Sequence, residues 1–401
     1  MAVSSTRAET LPRRRVAFVV QRYGAEIDGG SETLCRAVAE RMSATADVEV
    51  LTTTAVDYLS WKNELPPGES MQHGVCVRRF PVASRRWVRS FGRLSERLYR
   101  TAHTLEDEIA WMIRQGPRTP ELLAHLKESQ HRFDAFVFFT YLYYPTYFGL
   151  PLVAANSVLV PTLHDEPPAR FDIFRGLFAA ARTFVWNTPE ERALARNLFG
   201  IEDEGEIAGV GIEIASPSRD GGFRRRYGLG EFVLYVGRVD VWKGIPELLE
   251  FFSRYRAEKA PDLTLVLVGK IHMQLPTLSG VKALGHLAEG EKLEAFAEAL
   301  ATIQPSPFES LSLVMLESWK LGTPVVANAR SPVVAGQCAR SGGGLTYSSY
   351  EDFAAALERV RGDDGRRLGE QGRRFVEAEC SWERILGIYR RAVERASGGR
   401  R

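Results

Sequence analysis

Short apolar runs alternate with helix-period stretches along most of this chain. That alternation restricts it to parallel sheets covered by helices. Residues 15–21, 48–53, 135–139, 158–163, 183–187 and 207–212 read as strands, and 32–43 and 189–199 as helices. A second series starts with the strand pattern 232–237 and the helix pattern 245–258, and runs to about 360. Two more helix patterns, 365–378 and 382–396, close the chain. A length of 401 residues exceeds one ordinary core, so two domains are expected. The polar stretch 216–222 between the two series reads as a linker. The predicted fold class is therefore α/β, with two doubly wound domains at 1–215 and 216–380 and a tail at 381–401. No internal sequence repeat relates the two halves.

Composition narrows the function. A formal charge of +2 gives no signal for nucleic acid, so no such partner is expected. Four cysteines, Cys35, Cys76, Cys338 and Cys380, show no paired spacing. That argues against a zinc site or a disulfide scaffold and suits a reducing cytoplasm. The apolar run after Arg15 spans only 16–20, too short for the core of a signal peptide. No stretch has the length of a membrane span. A cytoplasmic protein is expected.

Two segments carry the chemistry. In the first, Glu309 and Glu317 stand eight positions apart after Pro305 and Pro307. The prolines keep the preceding segment extended. An apolar stripe from Leu311 to Leu321 predicts a helix with Glu309 at its entrance and Glu317 two turns in. The free N–H groups of its first turn would face an anion. A capped surface helix with a stray glutamate explains these residues alone equally well. In the second segment, strand 232–237 ends in Gly237-Arg238, followed by Lys243-Gly244. Ligands of open α/β sheets bind beyond the carboxyl ends of strands. Arg238 and Lys243 are placed there to hold a diphosphate, one as a fork and one as a point charge. The competing reading is two solvated surface charges.

Together, Gly237-Arg238, Lys243-Gly244, Glu309 and Glu317 resemble the signature of retaining GT-B glycosyltransferases, in particular glycosyltransferase family 4 (glycosyl transferases group 1). Residues 265–269, 281–285, 321–327 and 343–345 fit the same pattern in order. The resemblance is close from 232 to about 360 and weak from 56 to 133. It implies two Rossmann-like domains facing across a cleft, with the last helix crossing back to the first domain. It implies a retaining enzyme that moves a hexose-type sugar from a nucleotide-diphosphate-sugar to a hydroxyl of a glycan or lipid-linked acceptor. No cofactor is expected, since the nucleotide-sugar is a substrate, and no metal, since Arg238 and Lys243 would take its place. Glu309 would accept hydrogen bonds from the donor sugar and Glu317 from ribose. Residues Ser310, Leu311, Ser312 and Leu313 would lie against the diphosphate, and Gly237, Gly269 and Gly285 would line the donor pocket. Ser310 and Ser312 stand where the family usually has glycines, and 329–334 lacks the usual glycine pair and acid.

The first half supplies fewer signals. The glycine loop 28–32 opens a helix after the first strand, either as an ordinary turn or to clear room for a ligand. By resemblance, Gly30 would lie across the cleft from the donor. The absence of G-x-G-x-x-G disfavours a nicotinamide enzyme. His164 ends the strand pattern 158–163 at the cleft edge, and by resemblance would touch the transferred sugar. Asp165 and Glu166 follow it, but neighbours on an extended chain point apart and do not converge on a metal. Thr188-Pro189 reads as a helix cap. A helical insertion is expected near 84–132. Its arginine-rich start, 84–100, reads either as a basic amphipathic helix in peripheral contact with the inner face of a membrane or as a helix packed on the first domain. The tyrosines after Thr140 read as core, with stacking on an acceptor sugar as the second reading. A nucleotide-sugar-binding protein without transfer activity is the alternative function.

Overall fold

The structure is a computed structural model that describes residues 13–27, 29–202, 205–217 and 219–398. Asp28 of the glycine loop, Ser218 of the expected linker and the extreme ends of the chain lie outside these residues.

Two sheets organise the chain. The first contains β1 (Arg15–Val19), β2 (Asp47–Thr53), β3 (Gly68–Gln72), β4 (Val75–Phe80), β5 (Ala135–Phe139), β6 (Ser157–Val160), β7 (Thr183–Trp186) and β8 (Glu206–Ile207). Their order is β3-β4-β2-β1-β5-β6-β7-β8, and every pairing is parallel except β3 with β4. The second contains β9 (Phe232–Val236), β10 (Thr264–Val268), β11 (Val281–Gly285), β12 (Thr302–Gln304), β13 (Val325–Asn328) and β14 (Gly344–Tyr347). It is wholly parallel, in the order β11-β10-β9-β12-β13-β14.

Helices cover both faces. In the first half they are α1 (Gly30–Met42), α2 (Val88–Arg100), α3 (Leu105–Gln115), α4 (Pro120–Ser129), α5 (Tyr144–Gly149), α6 (Ile173–Ala180) and α7 (Pro189–Phe199). In the second half they are α8 (Gly222–Tyr227), α9 (Ile245–Glu258), α10 (Glu289–Glu298), α11 (Leu313–Lys320), α12 (Pro332–Ser341), α13 (Tyr350–Arg361), α14 (Asp364–Glu379) and α15 (Trp382–Ser397). Central strands covered on both sides must be apolar throughout, and β5, Ala-Phe-Val-Phe-Phe, is buried at every position.

Each sheet has one topological switch point. Strand order runs outward in both directions from β1 and β5 in the first sheet, and from β9 and β12 in the second. The crevices beyond the carboxyl ends of those pairs are where an open α/β sheet takes a ligand. The loops after β9 and β12 carry Arg238, Lys243 and Glu309.

The final helix ties the halves together. Ser381 caps α15, its hydroxyl accepting from the Arg384 N–H. The helix then lies on the first sheet, where the buried Tyr389 ring stacks on Phe139 at 6.4 Å. Arg391 forks onto Glu206 at 3.0 and 2.6 Å. Gly211 lies flat under the Trp382 indole, where a Cβ would sit 2.3 Å from a ring carbon.

Two expectations change. The strand expected at 207–212 ends at Ile207, because Gly209 takes a positive φ of 66° and turns the chain away. The insertion is helical from α2 to α4, but it is preceded by the hairpin β3–β4, whose exposed first strand carries no apolar pattern. In α2, Phe91 and Leu94 pack on the core and Leu98 is buried, whereas Trp87 and Val88 are exposed. The tyrosines after Thr140 are taken up by packing: Tyr141 is fully buried against Phe174, with ring centroids 4.7 Å apart.

Candidate active site

Glycines shape the carboxyl edge of the second sheet. Gly237 donates to Val268 O at 2.9 Å, and Gly269 donates to Gly285 O at 2.7 Å. A Cβ on Gly269, at φ 135°, would lie 1.9 Å from the Gly237 carbonyl oxygen, so this residue is needed for packing whatever else it does. Gly285, also at positive φ, faces open space. Gly244 at φ 75° would bring a Cβ within 2.3 Å of Pro305 O. Glycine there lets the loops after β9 and β12 touch.

That contact assembles the charges. Asp240 Oδ1 accepts from the Lys243 N–H at 3.0 Å, closing a short turn that presents the lysine. Lys243 Nζ donates to Glu309 Oε1 at 2.7 Å. The Tyr235 hydroxyl donates to the Arg238 carbonyl at 2.6 Å and pins the start of the loop. The Arg238 side chain reaches across the cleft instead, donating from Nη1 to the Tyr58 hydroxyl. Lys243 and Glu309 are thus brought together directly, and Arg238 stands beside them facing the other domain.

The expected helix geometry needs correction. α11 starts at Leu313 with Ser312 as N-cap, two residues later than the apolar stripe indicates. Glu309 is therefore in the loop before the helix, and only Glu317 is on it. The free amides of the first turn begin at Leu313, while Leu311 precedes the cap. Ser312 is buried, and its hydroxyl accepts from Gln304 Nε2 at 2.6 Å. That bond turns the hydroxyl inward and explains why it makes no cap of its own. The Ser310 carbonyl accepts from the Thr188 hydroxyl of the first domain at 3.4 Å.

Glu317 is paired with a residue that no motif marks. Lys292 of α10 lies 3.2 Å from its Oε1 and 2.9 Å from Glu289. Burial raises the Glu317 pKa, with the Lys292 ammonium pulling the other way. Burial works against the charged Lys292, but Glu317 and Glu289 raise its pKa overall.

The first domain contributes the opposite wall. His164 follows β6, and its Nδ1 is 3.3 Å from Glu166 Oε1. The same oxygen accepts from the Tyr141 hydroxyl at 2.8 Å. Asp165 points elsewhere, to Arg170 at 2.5 Å. Thr140 and Thr162, just past β5 and β6, both take positive φ, and their hydroxyls lie 2.8 Å apart. Such backbone outliers gather where a site is held against local preference. The His164 ring centroid is 6.3 Å from that of Phe308 in the second domain. Between them opens a cavity of about 450 Å³, lined by His164, Asp165, Glu190, Phe308, Glu309 and Arg330 among others. Gly30, the first residue of α1, faces open space, whereas a Cβ on Gly29 would strike Glu32. Among the described residues no group of three or more His, Cys, Asp or Glu side chains is placed to hold a metal ion.

Glu191 has a role that the sequence conceals. It reads as a first-turn helix acid, yet it is fully buried within the cavity wall. Its carboxylate accepts from the backbone N–H of Leu163 at 2.7 Å and of Asn187 at 2.5 Å. Burial pushes its pKa up to about 8 against those bonds.

The architecture is the GT-B fold, two Rossmann-like α/β units with the C-terminal helix returning to the first. It aligns with sucrose-phosphate synthase from Thermosynechococcus elongatus at a TM-score of 0.66 and 18% identity, over 94% of this chain and 99% of that one. It aligns with the Anabaena protein Alr3699/HepE, solved with UDP and glucose, at 0.66 and 16%, over 96% and 100%. In sequence, residues 224–377 match the family model of the glycosyl transferases group 1. Curated relatives include the MMP alpha-(1->4)-mannosyltransferase of Mycolicibacterium hassiacum, 31% identical over 47% of this chain and 48% of that protein. The D-inositol 3-phosphate glycosyltransferase of Kribbella flavida is 28% identical over 60% and 63%. The chain thus spans about half to three fifths of the length of these relatives.

Proposed function

We propose that this protein is a retaining glycosyltransferase. It moves a hexose-type sugar from a nucleotide-diphosphate-sugar to a hydroxyl of a glycan or lipid-linked acceptor, without a divalent metal. The observation that carries the reading is the 2.7 Å Lys243–Glu309 pair beyond the switch point of the second sheet, beside the start of α11. Transfer breaks the bond between the anomeric carbon and the β-phosphate oxygen, leaving negative charge on the diphosphate. Lys243 keeps two N–H donors for that charge beyond the one given to Glu309. Arg238 and the α11 amides add to it, and such fixed donors count most in the transition state. Glu309 accepts hydrogen bonds from the donor sugar and Glu317 from ribose. The acceptor hydroxyl enters on the face the diphosphate leaves, and the departing phosphate takes its proton. His164, Gly30 and the cavity wall lie on the sugar and acceptor side. In domain terms, 1–215 handles the acceptor, 216–380 the donor, and 381–401 crosses back.

The matched stretch 224–377 includes Arg238, Lys243, Glu309 and Glu317, which supports this assignment. The test is nucleoside diphosphate release from UDP-, GDP- and ADP-sugars. Release by the wild type, lost in Arg238→Ala, is expected. Binding of a donor without any release, with or without candidate acceptors, would reduce the protein to a nucleotide-sugar binder.

A further inference from the structure

We propose that Tyr58 of the first domain is a positioning residue for Arg238, making donor binding depend on how the two domains meet; this rests on the functional reading above. The loop that carries Tyr58 is built to hold it still. Asp57 accepts from the N–H groups of Leu59 at 2.9 Å and Ser60 at 2.8 Å. Arg22 Nη1 donates to Val56 O at 2.7 Å, and Arg86 Nε donates to Leu59 O at 2.7 Å. Trp61 is buried, with its indole N–H on Gln115 O at 2.6 Å. Tyr58 packs against the small apolar cluster of Ala55, Trp61 and Val82.

Held this way, the phenol meets two cations. Its hydroxyl accepts from Arg238 Nη1. The guanidinium carbons of Arg238 and Arg22 lie over its ring, 5.0 and 5.5 Å from the centroid. Arg22 is neutralised by the buried Glu32 at 2.5 Å, whereas among the described residues the carboxylate paired with Arg238 is Asp240, at 3.7 Å. The ring face steadies the guanidinium plane, and the hydroxyl fixes its rotation. Among the described residues Arg238 Nη2 makes no hydrogen bond, so that end of the fork is left for a phosphate oxygen. A first-domain side chain thereby aims a second-domain cation. The sequence hides this because Tyr58 lies in the stretch that matches no motif.

The experiment titrates UDP, GDP and ADP into wild type, Tyr58→Phe, Tyr58→Leu, Arg238→Ala and the Tyr58→Phe/Arg238→Ala double variant by calorimetry, with melting curves for each. Loss of a hydrogen bond to a charged group is expected to weaken the best diphosphate about tenfold in Tyr58→Phe, and further in Tyr58→Leu. In the Arg238→Ala background the same change is expected to have less than about a twofold effect. Unchanged or tighter binding in folded Tyr58→Phe overturns the proposal, since a phenol merely occupying the phosphate seat would compete with it. Equal weakening with and without Arg238 also overturns it, by showing a purely structural role. If wild type binds a diphosphate and only these variant results fail, the functional reading survives. If wild type binds none of the three, both fall.

Discussion

Replacing Lys243 by methionine should reduce donor turnover by two to three orders of magnitude. Methionine keeps most of the apolar stem and removes the charge. The ammonium sits 2.7 Å from Glu309, with 27% of the lysine side chain and 13% of the glutamate exposed. At that depth an effective dielectric near 20 gives about 4 kcal/mol for a unit charge about 4 Å away. Loss of one donor to a developing oxyanion costs about 2.7–4 kcal/mol, which agrees. At about 1.4 kcal/mol per decade, that is about 100- to 1000-fold in kcat/KM. The assay is coupled detection of nucleoside diphosphate release under saturating acceptor. Lys243→Arg should recover only part of the loss, because a planar fork does not reproduce a point charge. A fall in kcat/KM of less than about fivefold in a folded Lys243→Met protein would refute the electrostatic account.

Other consequences concern pH dependence, donor affinity and helix docking. The Glu191 carboxyl, ordinarily at 4.5 and here raised to about 8, makes stability depend on pH. Between those values the unfolded chain releases the proton and the folded chain keeps it, so stability falls as pH rises through that window. The melting temperature of wild type should drop from pH 5 to 8.5, and Glu191→Gln should flatten that slope. Lys292→Met leaves Glu317 buried without its cation and should raise the donor KM about tenfold or more, with a smaller change in kcat. Gly211→Ala pushes a methyl into the Trp382 ring and should destabilise docking of α15 by about 1–3 kcal/mol in denaturant unfolding.

The second half of this fold was legible because its strands are short apolar runs bounded by glycines. The pattern 245–258 coincides with α9, since Pro246 and the periodicity mark both ends. The helix after Pro307 starts two residues later than its apolar stripe, because Leu311 continues the stripe although the chain is still turning there. Lys243 and Glu309 stand in separate sequence motifs, and their direct contact follows from Gly244 admitting Pro305. Tyr58, Lys292 and Glu191 were not legible. Each acquires its role from a partner distant in sequence, Arg238, Glu317 and Leu163 respectively, which periodicity and spacing do not report. The hairpin β3–β4 leaves little signal in the sequence, because its exposed edge strand has no apolar alternation.

We propose that Lys243, Arg238 and the start of α11 hold a diphosphate. A crystal structure with the nucleoside diphosphate that most raises the melting temperature tests this directly. Phosphate oxygens are expected within hydrogen-bond distance of Lys243 Nζ and the Leu313 N–H, with ribose at Glu317. A nucleotide bound elsewhere, with the Lys243–Glu309 pair untouched, would contradict it.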